Sequence, residues 1–182
     1  MTTLVLIFLL ALAYLGWRRY LSFSSQRPSD YAETLPAFDV RTHLNGPLLS
    51  EGVIYGPTGK VVSRFVAKMH GTWEGNRGRL TEEFTYSSGD TQNRAWELEI
   101  GNDGEIRAKA EDIIGTGTGK QSGSAVQMKY RIKLAEDAGG HVLNVTDWMY
   151  LTDNGVIMNR SEMRKYGLKV AELVATIRPE AA

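Results

Sequence analysis

The chain contains no cysteine. Disulfides, thiolate chemistry, Cys-ligated zinc and iron–sulfur clusters are thereby excluded, and so is a lipid joined to an N-terminal cysteine. The compartment stays open, because cytosolic and exported proteins alike can lack cysteine. Histidines are few: His43, His70 and His141 lie far apart without paired ligand spacing, so no metal site is expected. Excess charge is missing too. The 21 basic residues balance 21 acidic ones, which leaves no broad positive field and no nucleic-acid partner. No G-x-S-x-G elbow is present, which disfavours a serine hydrolase of that type. Gly115, Gly117, Gly119 and Gly123 invite a phosphate-loop reading. Ile114, however, stands where a Walker loop needs glycine, Gln121 stands where it needs Ser or Thr, and no helix follows. Residues 115–123 read instead as a flexible loop or a bend in a curved sheet, able to form a lid at a barrel mouth. No cofactor is expected.

Among what is present, the first residues stand out. Residues 1–17 carry no charge and are dominated by Leu, Ile, Val, Phe and Ala; Arg18 and Arg19 follow. A helix needs about 20 mainly apolar residues to span a bilayer. With Tyr20 and Leu21 included, residues 1–21 are expected to form a transmembrane anchor that places the protein in the lipid bilayer of a bacterial inner membrane. A core helix would show a polar face, and a signal peptide would open with basic residues. The charges Arg18, Arg19 and Arg27 all follow the apolar run, so the positive-inside rule puts the globular part on the cytoplasmic side. Residues 22–37 have few large apolar side chains and read as a tether, or as a loop packed on the domain surface.

Residues 38–178 form the third segment. At 182 residues, with 42% apolar and 23% charged residues, the chain has room for one domain with a real core. No helical period is visible beyond Pro36. Turn signals recur every 8–12 residues instead, which marks an all-β sandwich or barrel. Alternation predicts strands at 48–55, 61–70, 79–86, 94–100, 105–114, 126–134, 142–151, 156–165 and 168–177. About nine strands joined by tight turns favour antiparallel neighbours. An up-and-down barrel removes their exposed edges, with a two-sheet sandwich as the other solution.

The hairpin at 145–160 is the richest in chemistry. Asn154-Gly155 is a strong two-residue turn signal. That turn pairs Leu151 with Met158 and Met149 with Arg160. Asp147, Met149, Met158 and Arg160 then share one face, with Trp148, Tyr150 and Asn159 on the other. A three-residue loop with a bulge would shift this register. A carboxylate on an apolar face needs a partner; Arg160 is the obvious one for Asp147, and Arg94 on the Trp96 face is another. Such a pair either fixes a ligand's head group or holds register as an internal salt bridge. Glu82 and Glu83 are adjacent, point to opposite faces, and make a poor acid–base pair.

Gly71-Thr72-Trp73, Leu80-Thr81-Glu82-Glu83-Phe84, Arg94-Ala95-Trp96, residues 112–119, Asp147-Trp148-Met149-Tyr150 and Asn159-Arg160 occur in this order. Together they resemble a bacterial family known as domain of unknown function 3833, over residues 38–177. The resemblance implies a lipocalin-like fold and a small envelope protein, since members are often lipoproteins; it brings no activity. Without cysteine, this chain would use its N-terminal helix in place of a lipid, and the resemblance sets a periplasmic location against the cytoplasmic one.

One function leads for such a chain, and two stand as alternatives to it. The first is binding of an apolar or amphipathic, lipid-like small molecule, lined by Trp96, Tyr130, Met149 and Met158 and anchored by Arg94, Asp147 and Arg160. The second is an accessory or assembly subunit of a membrane protein complex, with Trp148, Tyr150 and Asn159 as an exposed outer patch. The third is an enzyme with Asp147 or Asp112 as acid or base; no constellation at a distinctive spacing favours it.

Overall fold

Alternating strands joined by short turns have to pair with their neighbours in sequence, and a row of them leaves two open edges unless it closes. In the computed structural model, which describes residues 2–136 and 139–180, it closes. The strands are β1 (Gly46–Tyr55), β2 (Val61–Glu74), β3 (Arg77–Tyr86), β4 (Thr91–Ile100), β5 (Glu105–Lys109), β6 (Gly117–Ser122), β7 (Ala125–Lys133), β8 (Val142–Leu151), β9 (Ile157–Lys165) and β10 (Leu168–Pro179). Each pairs antiparallel with the next, and β10 pairs back onto β1 from Leu48 with Pro179 to Tyr55 with Glu172. The fold is an all-β, antiparallel, up-and-down closed barrel, and the sandwich alternative falls.

The barrel has ten strands rather than the expected nine. The additional one is β6, in the glycine-rich stretch read from sequence as a loop or lid. Glycine is disfavoured in strands, but here the neighbouring strand leaves no room for a side chain. A Cβ at Gly119 would run into the Met128 sulfur and the Gln127 carbonyl oxygen of β7. The strand expected at 105–114 stops at Lys109. Residues 110–116 turn away and fasten to the upper half of β7, where Ile114 N–H donates to Arg131 O at 2.9 Å and Lys133 N–H to Asp112 O at 2.8 Å.

One end of the barrel is plugged. The helical turn α1 (Val40–His43) is capped by Asp39, whose Oδ1 accepts from Arg41 N–H at 2.9 Å. Phe38, Val40 and Leu44 are each at most 3% exposed. Leu44 O takes the Trp73 Nε1–H at 2.9 Å and lies against Gly71, where any Cβ would collide with it.

The hairpin register differs from expectation by one residue. Thr152 N–H donates to Val156 O, and Gly155 N–H to Thr152 O, both at 2.9 Å, so the loop is wider than the dipeptide Asn154-Gly155. Leu151 faces Ile157, Met149 faces Asn159 and Trp148 faces Arg160. A one-residue slip moves every side chain of a strand to the opposite face. Met158 and Arg160 therefore lie outside the barrel, and Asn159 and Ser161 lie inside.

Residues 22–35 pack against the outside of β6 to β9. Tyr31 sits 5.3 Å from Trp148 and 5.6 Å from Tyr150, ring centre to ring centre. Gln26 Oε1 accepts from the Tyr150 hydroxyl at 2.7 Å and also from that of Tyr31. Phe23 lies under the Arg160 guanidinium at 4.5 Å. Trp148 is completely buried, so the exposed patch expected of Trp148, Tyr150 and Asn159 does not exist.

An N-terminal helix, αN (Thr2–Tyr20), precedes this strap. It exposes Leu4, Leu6, Phe8, Leu10 and Trp17. Among the described residues, no helix is long and apolar enough to cross a membrane, which corrects the expectation of a spanning anchor at 1–21. The uncharged part of αN stops at Trp17 and measures about 24 Å at 1.5 Å per residue, short of a hydrocarbon core of about 30 Å. Met1, and the side chains of Arg18 and Arg19 on which the orientation rests, lie outside the described residues.

Trp148 tests the strap. Trp148→Ala should cost about 3–5 kcal/mol in urea unfolding. Trp148→Phe should cost much less, because the buried Trp148 Nε1–H has no partner and its removal recovers a desolvation penalty. Leu168→Ala, at a position 68% exposed, should stay within about 0.5 kcal/mol of wild type.

Candidate functional site

The inner face follows from strand alternation. On β3 it carries Leu80 and Glu82, on β4 Arg94 and Trp96, and the register sets Leu80 opposite Trp96 and Glu82 opposite Arg94. Tyr130 comes from β7, Asp147 and Met149 from β8, and Asn159 and Ser161 from β9. Met128, Asp147 and Ser161 form one cross-strand row, and Val126, Met149 and Asn159 the next. These elements line a cavity of about 90 Å³. Its wall is mostly apolar: Leu80, Trp96, Val126, Met128 and Met149 contribute, with Val40 and Leu44 of the plug. Its polar lining is Glu82, Tyr130, Asp147 and Asn159.

Arg94 does not meet Glu82 squarely. Its Nε donates to Asp112 at 3.1 Å, and its guanidinium lies over the Trp96 ring at 4.0 Å. Asp112 comes from residues 110–116, so this ion pair ties that segment to β4 while its backbone is tied to β7. Glu82 is 9% exposed, and its Oε2 has no partner. Burial pushes its carboxyl up to about 7; the Arg94 charge and the Trp96 indole oppose the rise, and Asp147 and Asp112 add to it. Asp147 also rises through burial, against hydrogen bonds from Ser161 and Asn159 and the charge of Arg94. Its Oδ1 accepts both bonds, from Ser161 Oγ at 2.7 Å and Asn159 Nδ2 at 2.5 Å. Burial raises the Tyr130 hydroxyl as well, which keeps the phenol neutral and able to donate or accept.

Of the residues singled out from sequence, Arg94, Trp96, Tyr130, Asp147 and Met149 come together inside the barrel. Met158 and Arg160 do not. Arg160 bonds Glu172 Oε1 at 2.7 Å on the outer face, so the expected Asp147–Arg160 pair is replaced by Asp147 with Ser161 and Asn159. Sequence reasoning missed Glu82, although the alternation Leu80, Glu82, Phe84 carried the signal. It missed Asn159 and Ser161 because of the register. Among the described residues, no group of three or more His, Asp or Glu side chains could hold a metal ion.

A larger concavity, about 820 Å³, lies outside over β2 to β6. It opens broadly to solvent. Its walls carry cross-strand rows of opposite charge, with Arg79 to Glu97 at 2.5 Å and Arg77 to Glu99 at 4.0 Å. Its charged side chains stand on an open, solvent-facing surface, whereas the inner cavity is lined by Glu82, whose buried Oε2 has no protein partner; the inner one is the candidate site.

Comparison with solved structures places the barrel among known folds. An S-type phycobiliprotein lyase, CPES, from Guillardia theta superposes with a TM-score of 0.60 at 8% identity, over 86% of this chain and 99% of that one. Rv2717c from M. tuberculosis gives 0.57 at 14% identity, over 82% and 100%. At these identities the likeness is one of fold. No curated protein is significantly similar in sequence. The profile of the family described as "Protein of unknown function (DUF3833)" matches residues 19–179, and the chain belongs to that family.

Proposed function

We propose that the barrel holds an apolar or amphipathic, lipid-like small molecule in its interior. The observation that carries this reading is the cavity, apolar over most of its wall and lined by Glu82, a buried acid whose Oε2 has no partner. Buried polar atoms are nearly always paired, and small-molecule sites combine apolar walls with a few placed polar groups. Met69, Met128 and Met149 on the wall are flexible enough to make room for a ligand larger than the cavity itself. A phycobiliprotein lyase among the barrels of this fold agrees with a small-molecule role. Native mass spectrometry on protein purified without detergent tests the reading. A small mass should travel with the wild type and with Met158→Phe, whose substitution lies outside the barrel. It should be lost from Val126→Phe, which fills the cavity. No bound mass in the wild type, or retention by Val126→Phe, counts against it.

A second reading concerns αN. Its Leu, Phe and Trp side chains are exposed on all sides, and apolar surface of that extent marks a contact with a membrane or a protein. We propose that αN enters the apolar layer of a bilayer from one side without crossing it, and that the flanking arginines set the barrel on the cytoplasmic face. Phospholipid vesicles floated on a density gradient should carry the wild-type chain upward. A Leu6→Glu, Leu10→Glu double variant should stay at the bottom; equal flotation of both would contradict the reading.

A further inference from the structure

The polar end of the ligand can be read from the cavity's charges, given that the interior is a binding site at all. We infer that this end is a protonated amine, seated between Glu82 and Asp147. Both carboxyl groups line the cavity. Glu82 is nine-tenths buried and leaves Oε2 without a partner. Asp147 has its Oδ1 held by Ser161 and Asn159, which fixes the carboxyl in place. An ammonium group offers three donors and a positive charge, and it supplies what a desolvated carboxylate lacks.

The nearby cation does not serve this purpose. Arg94 is committed to Asp112 and lies flat on Trp96, and it is not part of the cavity wall. Its Nη2 is also without a partner. An anionic ligand reaching for that atom would face Glu82 and Asp147 across the same small space. A neutral hydroxyl would meet Glu82 but would leave two acids served by one guanidinium already bonded to a third. The groups that act on Glu82 are Arg94, Asp112 and Asp147 together with the Trp96 indole; the Tyr130 hydroxyl adds a donor but no charge. Three carboxyl groups stand against one guanidinium, and an ammonium narrows that imbalance.

A proton is linked to this binding. With the Glu82 carboxyl pushed up to about 7, an ammonium displaces a proton at neutral pH. Affinity should therefore rise roughly tenfold from pH 6 to pH 8.

Isothermal titration of the full chain with hexylamine, hexanol and hexanoate separates the cases. Hexylamine should bind tightest, and more tightly at pH 8 than at pH 6. Glu82→Gln should lower hexylamine affinity at least tenfold more than hexanol affinity. Asp147→Asn should act in the same direction, and reads the same question should Glu82→Gln not fold. Hexanol or hexanoate binding as tightly as hexylamine would overturn the amine and leave interior binding standing. So would an amine preference that survives both substitutions. Failure of all three compounds to bind the wild type would overturn interior binding as well.

Discussion

The guanidinium of Arg94 acts on three carboxyl groups at once, and the interior is arranged around that shortage of positive charge. Register places it opposite Glu82, but Asp112 draws it aside. That ion pair has two consequences. It pins residues 110–116 across the wall between β4 and β7, where β5 and β6 are too short to fill the gap. It also leaves Glu82 facing the cavity with an unmet oxygen. Removing a cation from such a group strands buried charge, which is far costlier than losing a surface pair. The same residue therefore closes the wall and sets the chemistry of the space behind it.

The outside of the barrel directs attention inward. Its aromatic pair Trp148 with Tyr150 is not available to a partner, because Tyr31 and Gln26 pack on it. Stacking of Trp148 on Tyr150 at 5.8 Å, with Tyr31 against both, makes the strap part of the packed structure. The helical turn at residues 40–43 seals one end of the barrel in the same way. Both pieces are thus part of the packed barrel and not free surfaces.

Much of this was legible in the sequence, and the failures have specific causes. Strand alternation alone put Arg94, Trp96, Tyr130, Asp147 and Met149 on one inner face, since a period of two survives errors in strand ends. Arg160 and Met158 went to the wrong face because an Asn-Gly signal fixes a turn only when flanking side chains do not compete. Here the Thr152 hydroxyl bonds both Asn154 Oδ1 and Val156 O at 2.6 Å, which widens the loop and slips the register. Strand β6 was hidden because its glycines argue for a loop; the constraint that makes them a strand is the Met128 side chain of the next strand, a tertiary fact. Glu82 was visible in the pattern of β3, on the face opposite Glu83, but nothing local shows that its face is the one turned into the barrel beside Arg94 and Asp147.

The state of Glu82 carries the account. Its carboxyl stands at about 7 in the folded chain against an ordinary 4.5. Between those values the folded protein holds a proton that the unfolded chain releases, so this group makes folding progressively less favourable as pH rises through the window, by about 3 kcal/mol at its end. The direct measurement is the chemical shift of the Glu82 side-chain carboxyl carbon followed through a pH titration, assigned by comparison with Glu82→Gln. A midpoint near 7 is the expected result. A midpoint near 4.5 would mean that water or a partner already serves this carboxylate, and the account of a desolvated, ligand-seeking interior would be wrong.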